Sequence, residues 1–215
     1  MESLDLGNSL ASLTQRNGWW VPAQDEVALD IILTQVHDLD LILPHCKQYR
    51  RVVQAGGNVG IWPKALAETF QLVWTFEPDV DNYAALVQNT MNTANIVRTR
   101  MALGDKAGTG AMDRIDPRNI GAHQVKEGDE FKIGTVDSYM FDDVDLLQLD
   151  IEGFEHQAIL GAAETIDRCS PVIVLELKGL GKRYGYTDEE TIEFLSDLGY
   201  KIKDRIHRDV LFLRT

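Results

Sequence analysis

The chain has 215 residues, enough for one substantial hydrophobic core and short for two domains. Its 44% hydrophobic and 26% charged content is ordinary for a globular protein, but 34 acidic against 21 basic residues give a net charge of −13. Such a surface repels phosphate backbones and anionic lipid, which argues against nucleic acid and membranes as partners, and two distant cysteines, Cys46 and Cys169, offer neither a zinc set nor a disulfide framework.

The opening residues, MESLDLGNSLASLTQ, have no basic region followed by an apolar stretch, so they do not read as a secretory signal. The apolar run VALDIILTQVHDLDLIL is interrupted by Asp30, Asp38 and Asp40, which excludes a membrane span. A soluble, cytoplasmic protein is expected. Residues 1–24 read as an arm ending in Trp19–Trp20 and Pro22. Asp25 is an N-cap candidate for a helix with apolar positions at Ala28, Ile32, Val36, Leu39 and Leu43, closed by Pro44. The expected organisation is one structural domain, with residues 1–45 as an arm and helix packed on a core formed by residues 46–215.

Strands then alternate with helices. Val52–Ala55 is a short strand, and Trp62, Leu66 and Phe70 mark a helix with Pro63 in its first turn. LVWTFEP (Leu72–Pro78) is a second strand, and Val80, Ala84, Val87 and Met91 form the stripe of the next helix. Ile96–Leu103 is a third strand, and residues 104–135 form a glycine-rich loop or small hairpin. Val144–Asp150 is a fourth strand, Glu155–Ile166 a helix, and PVIVLEL (Pro171–Leu177) a buried strand. Thr187 and Glu190 make a capping box for a helix stopped by Gly199, and two strands joined near RIHR (Arg205–Arg208) close the chain as a hairpin.

This alternation predicts a doubly wound, mostly parallel α/β sheet of seven strands, ending in an antiparallel hairpin and carrying an N-terminal helical extension. A sheet that ends in a hairpin is Rossmann-like in the manner of class I S-adenosylmethionine (SAM) methyltransferases. In such a sheet, ligands lie beyond the carboxyl ends of the strands. The candidates there are the turn Gly56, Gly57, Asn58 and Gly60, an imperfect dinucleotide fingerprint with Ala55 at its first place, preceded by Gln54. Glu77, at the end of the second strand, is placed to accept both hydroxyls of a ribose. Asp105, after the third strand, is a candidate for an adenine amino group or a plain turn residue. Asp150, Glu152 and Glu155 gather where the fourth strand meets a helix. Asp150 is placed to orient a methyl acceptor or take its proton. Glu152 and His156 with Asp150 have a spacing a divalent metal uses, but helix surfaces use it more often, so no metal is expected.

QAGGNVG, TFEPDVDNYAALVQN, TVDSYMFDDVDLLQLDIEGFEHQAILGAAETI and PVIVLEL, in this order, resemble the FkbM-type SAM-dependent methyltransferases over about residues 50–178. The resemblance implies the class I methyltransferase fold, SAM as cofactor and O-methylation of a hydroxyl on a small molecule or sugar. It implies that Gly56, Asn58 and Gly60 form the SAM turn, Glu77 the ribose acid, and Asp150 and Glu152 the pair near the transferred methyl. Two residues depart from the family pattern: Gln54 stands where aspartate is usual and Gln148 where lysine is usual. A Gln54 carbonyl accepting from the methionyl amino group would lack charge assistance, so weaker cofactor binding is expected, by about tenfold. The rival readings are a non-catalytic scaffold of the same fold and a nicotinamide-dependent oxidoreductase. Trp19, Trp20, His123, Lys178 and Tyr184 are unranked candidates for an acceptor pocket. Oligomeric state is not legible.

Overall fold

A computed structural model describes residues 12–215. Of the expected arm, residues 1–11 lie outside the described residues, and the rest is an antiparallel hairpin of β1 (Leu13–Arg16) and β2 (Trp19–Pro22). Asn17 and Gly18 turn it, both with positive φ, as a two-residue hairpin requires. Asn89 bolts this hairpin down, accepting from the Trp20 N–H at 2.8 Å and donating to the Trp20 carbonyl at 2.7 Å.

The N-cap of the next helix is Val27 and not Asp25, although the Asp25 carboxylate accepts from the N–H groups of Ala28 and Leu29 at 3.0 and 3.1 Å. The single helix expected there is instead α1 (Ala28–Gln35), a 3-10 turn, α2 (Leu39–Ile42) and a second 3-10 turn containing Pro44. Then follow β3 (Arg51–Ala55), α3 (Ile61–Leu66), β4 (Leu72–Phe76), α4 (Val80–Thr90), β5 (Ile96–Thr99) and β6 (Met101–Leu103). The rest comprises β7 (Gly108–Asp113), β8 (Gln124–Gly134), β9 (Val144–Leu149), α5 (Glu155–Leu160), α6 (Ala163–Cys169), β10 (Val172–Glu176), α7 (Asp188–Asp197), β11 (Tyr200–Ile206) and β12 (Asp209–Arg214).

Seven strands form one sheet in the order β11-β12-β10-β9-β3-β4-β5. Neighbours from β10 to β5 are parallel, and β12 enters antiparallel between β10 and β11, so the closing hairpin sits as the sequence suggests. β3 and β9, which flank the topological switch, are held at their starts by two ion pairs. Arg51 meets Asp143 at 2.6 Å and Arg50 meets Asp145 at 2.6 Å. Pairing shifts by one residue here, from Arg51↔Val144 to Val52↔Leu146, which leaves Asp145 as a bulge. Arg50 captures that residue with its backbone N–H as well, at 2.7 Å.

Three expectations are corrected. The third strand breaks at Arg100: β5 stays in the large sheet, whereas β6 joins the β7–β8 hairpin, the hairpin alternative for residues 104–135, in a separate three-stranded sheet. The helix after β9 is interrupted at Gly161, where a Cβ would lie 2.0 Å from the Gly104 carbonyl oxygen. In α4 the buried positions are Asn82, Ala85, Leu86 and Thr90, while Val87 and Met91 are exposed. Polar residues face inward because α4 covers backbone carbonyls: Asn82 donates to Ile120 and Asn89 to Val59.

Candidate functional site

The carboxyl ends of β3, β4, β9 and β10 open into a cavity of about 240 Å³. Its floor is the glycine turn. Gly56 has φ +84, and a Cβ there would lie 1.9 Å from the Asp150 carbonyl oxygen, so the turn rests directly on the end of β9. The Gly56 and Gly57 N–H groups both reach the Phe76 carbonyl, at 3.1 and 3.0 Å. Glu77 then ties the turn to β4. Its Oε2 accepts from the Asn58 N–H at 2.7 Å and its Oε1 from the Asp79 N–H at 2.9 Å. Burial, reinforced by the charge of Asp79, pushes the Glu77 carboxyl up to about 8 despite these two donors. Gly56, Asn58 and Glu77 line the cavity. Gly60 lies behind it as the cap of α3 with φ +94, against Thr90 and Leu86 of α4.

Gln54 is turned away from the cavity. It is fully buried, its Oε1 accepts from Thr75 Oγ1 at 2.5 Å, and its Nε2 donates to the Gly56 carbonyl at 2.9 Å. Both ends of the amide are spent inside the sheet, so its carbonyl is a brace for the turn. Its register partner across β3 and β9 is Gln148, also buried. The two departures from the family pattern are therefore neighbours, and together they put a neutral amide pair where that pattern has an acid and a base.

Opposite the turn, acids converge. Carboxylate oxygens of Asp150, Glu152 and Glu176 lie within 4.8 Å of one another, and the Lys178 ammonium sits on two of the groups, 2.8 Å from Glu152 and 2.5 Å from Glu176. Burial raises Asp150 well above the usual carboxylate range, and the adjacent Glu176 raises it further. Glu152 is raised by burial, and Lys178 opposes that shift. Lys178 is held above its usual value: burial works against its charge, but Glu176 and Glu152 outweigh it. Glu152 has φ +57, a conformation that costs a non-glycine residue about 1 kcal/mol, and it directs the carboxylate to Lys178.

The other candidates separate. Glu155 points into backbone, accepting from the Ile151 N–H at 2.9 Å, and His156 packs toward α7 with Nδ1 2.9 Å from Thr191 Oγ1. The Glu152–His156 pairing does not form. Asp105 is exposed beside Lys106 and does not line the cavity. Nor do Trp19, Trp20 or Tyr184, whose hydroxyl donates to the Val125 carbonyl at 2.8 Å, whereas His123 and Lys178 do. Sequence reasoning missed Glu176, Asn82, Arg208 and the α1 residues Ile31, Ile32 and Gln35 as cavity residues. Only Glu176 had a signal, as the acid that ends the most apolar strand.

Residues 54–202 match the Methyltransferase FkbM domain family. The chain belongs to that family. Its fold is similar to the methyltransferase FkbM from Methylobacillus flagellatus KT, with TM-score 0.53 and 18% identity over 76% of this chain. This FkbM-family chain spans 43% of that protein's length. It is also similar in fold to an rRNA methylase from Streptococcus thermophilus, with TM-score 0.51 and 13% identity over 83% of this chain and 94% of the other. SMU.1697c from Streptococcus mutans, solved with SAH, gives TM-score 0.50 and 10% identity over 86% of this chain and 97% of its own. No curated protein matches the sequence. The seven-stranded architecture is thus that of class I, Rossmann-like methyltransferases. The family match begins at Gln54, so α1, which lines the cavity of this FkbM-family protein, lies outside it. No helix among the described residues is long and apolar enough to cross a membrane.

Proposed function

We propose that this FkbM-family chain is a cytoplasmic SAM-dependent methyltransferase that methylates a hydroxyl group on a small molecule or sugar. The observation that carries this reading is convergence: the glycine turn, the Glu77 carboxylate and the Asp150–Glu176 pair all line one cavity at the strand ends. The residues fit SAM. The Gly56 turn, packed on the end of β9 too closely for a Cβ, lines the cavity beside β3, and Glu77 presents a buried carboxylate to paired hydroxyls. When bound, SAM supplies a methyl group already activated by its sulfonium.

The chain then has three tasks. It orients the acceptor oxygen, excludes water through the apolar α1 residues Ile31 and Ile32, and receives the hydroxyl proton. Asp150 is the base, and burial together with the adjacent Glu176 raises its proton affinity above the usual carboxylate range, which makes it a stronger base. Glu152, fixed by Lys178, accepts hydrogen bonds from the acceptor, and clustered carboxylates of this kind suit polyhydroxylated molecules. With a net charge of −13, nucleic acid is not proposed as substrate.

The test is isothermal titration with SAM and, separately, with NADH, followed by transfer of labelled methyl to a panel of sugars and small alcohols. Micromolar SAM binding without an NADH response is expected. No SAM binding at millimolar concentration, or transfer that survives Asp150→Asn, overturns the cofactor or the base, respectively.

A further inference from the structure

Two residues beyond Glu77, Asp79 organises the far wall of the cavity. Its Oδ1 caps α4, accepting from the N–H groups of Asp81 and Asn82 at 2.9 and 3.3 Å. Its Oδ2 lies 3.1 Å from His123 Nδ1 and 3.0 Å from the Arg114 guanidinium. Burial works against the Asp79 charge, but His123 and Arg114 prevail and hold the carboxyl below its usual range. An ionised acceptor on Nδ1 makes that nitrogen the protonated one in a neutral ring, which leaves Nε2 with a lone pair.

Among the described residues nothing donates to that lone pair. The His123 side chain is 4% exposed, and its Nε2 has no hydrogen-bond partner among the described residues. The same holds for Asn82. Its Nδ2 donates to the Ile120 carbonyl at 3.1 Å, which fixes the amide orientation, and its buried Oδ1 has no partner among the described residues. Buried acceptors are rarely left without a donor. Both residues line the cavity, and Pro78, Met101, Leu103 and Ile120 line it with apolar surface. A ligand that satisfies both acceptors brings two donors on a flat, apolar ring.

We infer that His123 and Asn82 read the adenine of the cofactor, with its exocyclic amino group donating one hydrogen to His123 Nε2 and the other to Asn82 Oδ1. This rests on the SAM reading and moves the amine contact from Asp105 to the wall formed by α4 and the segment before β8. It makes the site selective for a 6-amino over a 6-oxo purine, because the oxo group would set one acceptor against two others.

The experiment is titration of the wild-type protein with S-adenosylhomocysteine and with S-inosylhomocysteine, which carries a 6-oxo group, and repetition with His123→Phe. Wild type is expected to bind the adenosine compound at least about tenfold more tightly, and the variant to reduce that ratio to about threefold or less. Equal binding of the two by wild type overturns this inference alone and needs no variant. Undiminished discrimination in a folded His123→Phe protein overturns the role of His123. Failure of wild type to bind either compound overturns the cofactor reading together with this one.

Discussion

Asp150 and Glu176 end two neighbouring parallel strands, β9 and β10, with carboxylate oxygens within 4.8 Å of each other. Burial raises the proton affinity of Asp150, and the charge of the adjacent Glu176 raises it further. Glu176→Gln removes the like charge, so the acid limb of the pH–rate profile is expected to move to lower pH. Asp150→Asn should remove turnover and leave SAM affinity within about threefold. An acid limb that Glu176→Gln leaves in place would show that Asp150 is not the titrating base.

Glu77 makes two backbone hydrogen bonds and is proposed to accept the ribose hydroxyls of SAM as well. Glu77→Ala should weaken SAM binding by at least about tenfold, since a desolvated hydroxyl pair then lacks its acceptor. Titration calorimetry reads this directly, and an unchanged affinity would remove Glu77 from the cofactor site.

Gln54 and Gln148 should be changed as a pair. Gln54→Asp replaces the donor to the Gly56 carbonyl with a second acceptor in a fully buried place. It is expected to cost about 2 kcal/mol or more of stability and to give no gain in SAM affinity. Adding Gln148→Lys supplies the missing cation from the adjacent strand and should recover most of that loss. A double mutant no more stable than Gln54→Asp alone would mean that the two positions do not communicate.

Stability should fall as the pH rises through neutrality. Burial pushes Glu77 up to about 8, Glu155 up to about 7 and Asp209 up to about 7. Each holds its proton more tightly folded than unfolded. Its contribution is therefore complete below the ordinary carboxylate value and is lost as the pH passes 7 to 8. Asp79 acts in the opposite sense, and its contribution disappears only in acid. Between about pH 5 and pH 8.5 the Tm is expected to drop by about 5 °C or more, and Glu155→Gln should flatten the slope. A Tm that rises across this window would contradict the proton-holding state of these groups.

Much of the large sheet was legible because its strands are short apolar runs bounded by glycine, proline or caps, and Thr187–Glu190 announced α7 outright. The three-stranded sheet was not, because β7 and β8 carry polar and glycine residues on an exposed face and lack the alternation that marks a buried strand. The α4 face was misread for a related reason: Asn82 and Asn89 turn inward to satisfy carbonyls that only the tertiary fold brings near. In the cavity, the glycine turn, Glu77 and Asp150 followed from their positions at strand ends. Glu176 had the same strand-end signal but went unread, His123 could not be ranked among the pocket candidates, and Asn82 depends on which elements become neighbours, which no local pattern encodes.

The bulge at Asp145 has a consequence at the other end of its strand. Side chains alternate along β9, so a slip of one residue against β3 would exchange every inward and outward position up to Asp150. Arg50 grips the bulged aspartate through both its backbone and its guanidinium, where the strands begin. Two arginines on the side of the sheet away from the cavity thus act as its alignment pins. Damage to them would be felt first as misplaced chemistry some distance away, in a protein that still looks folded.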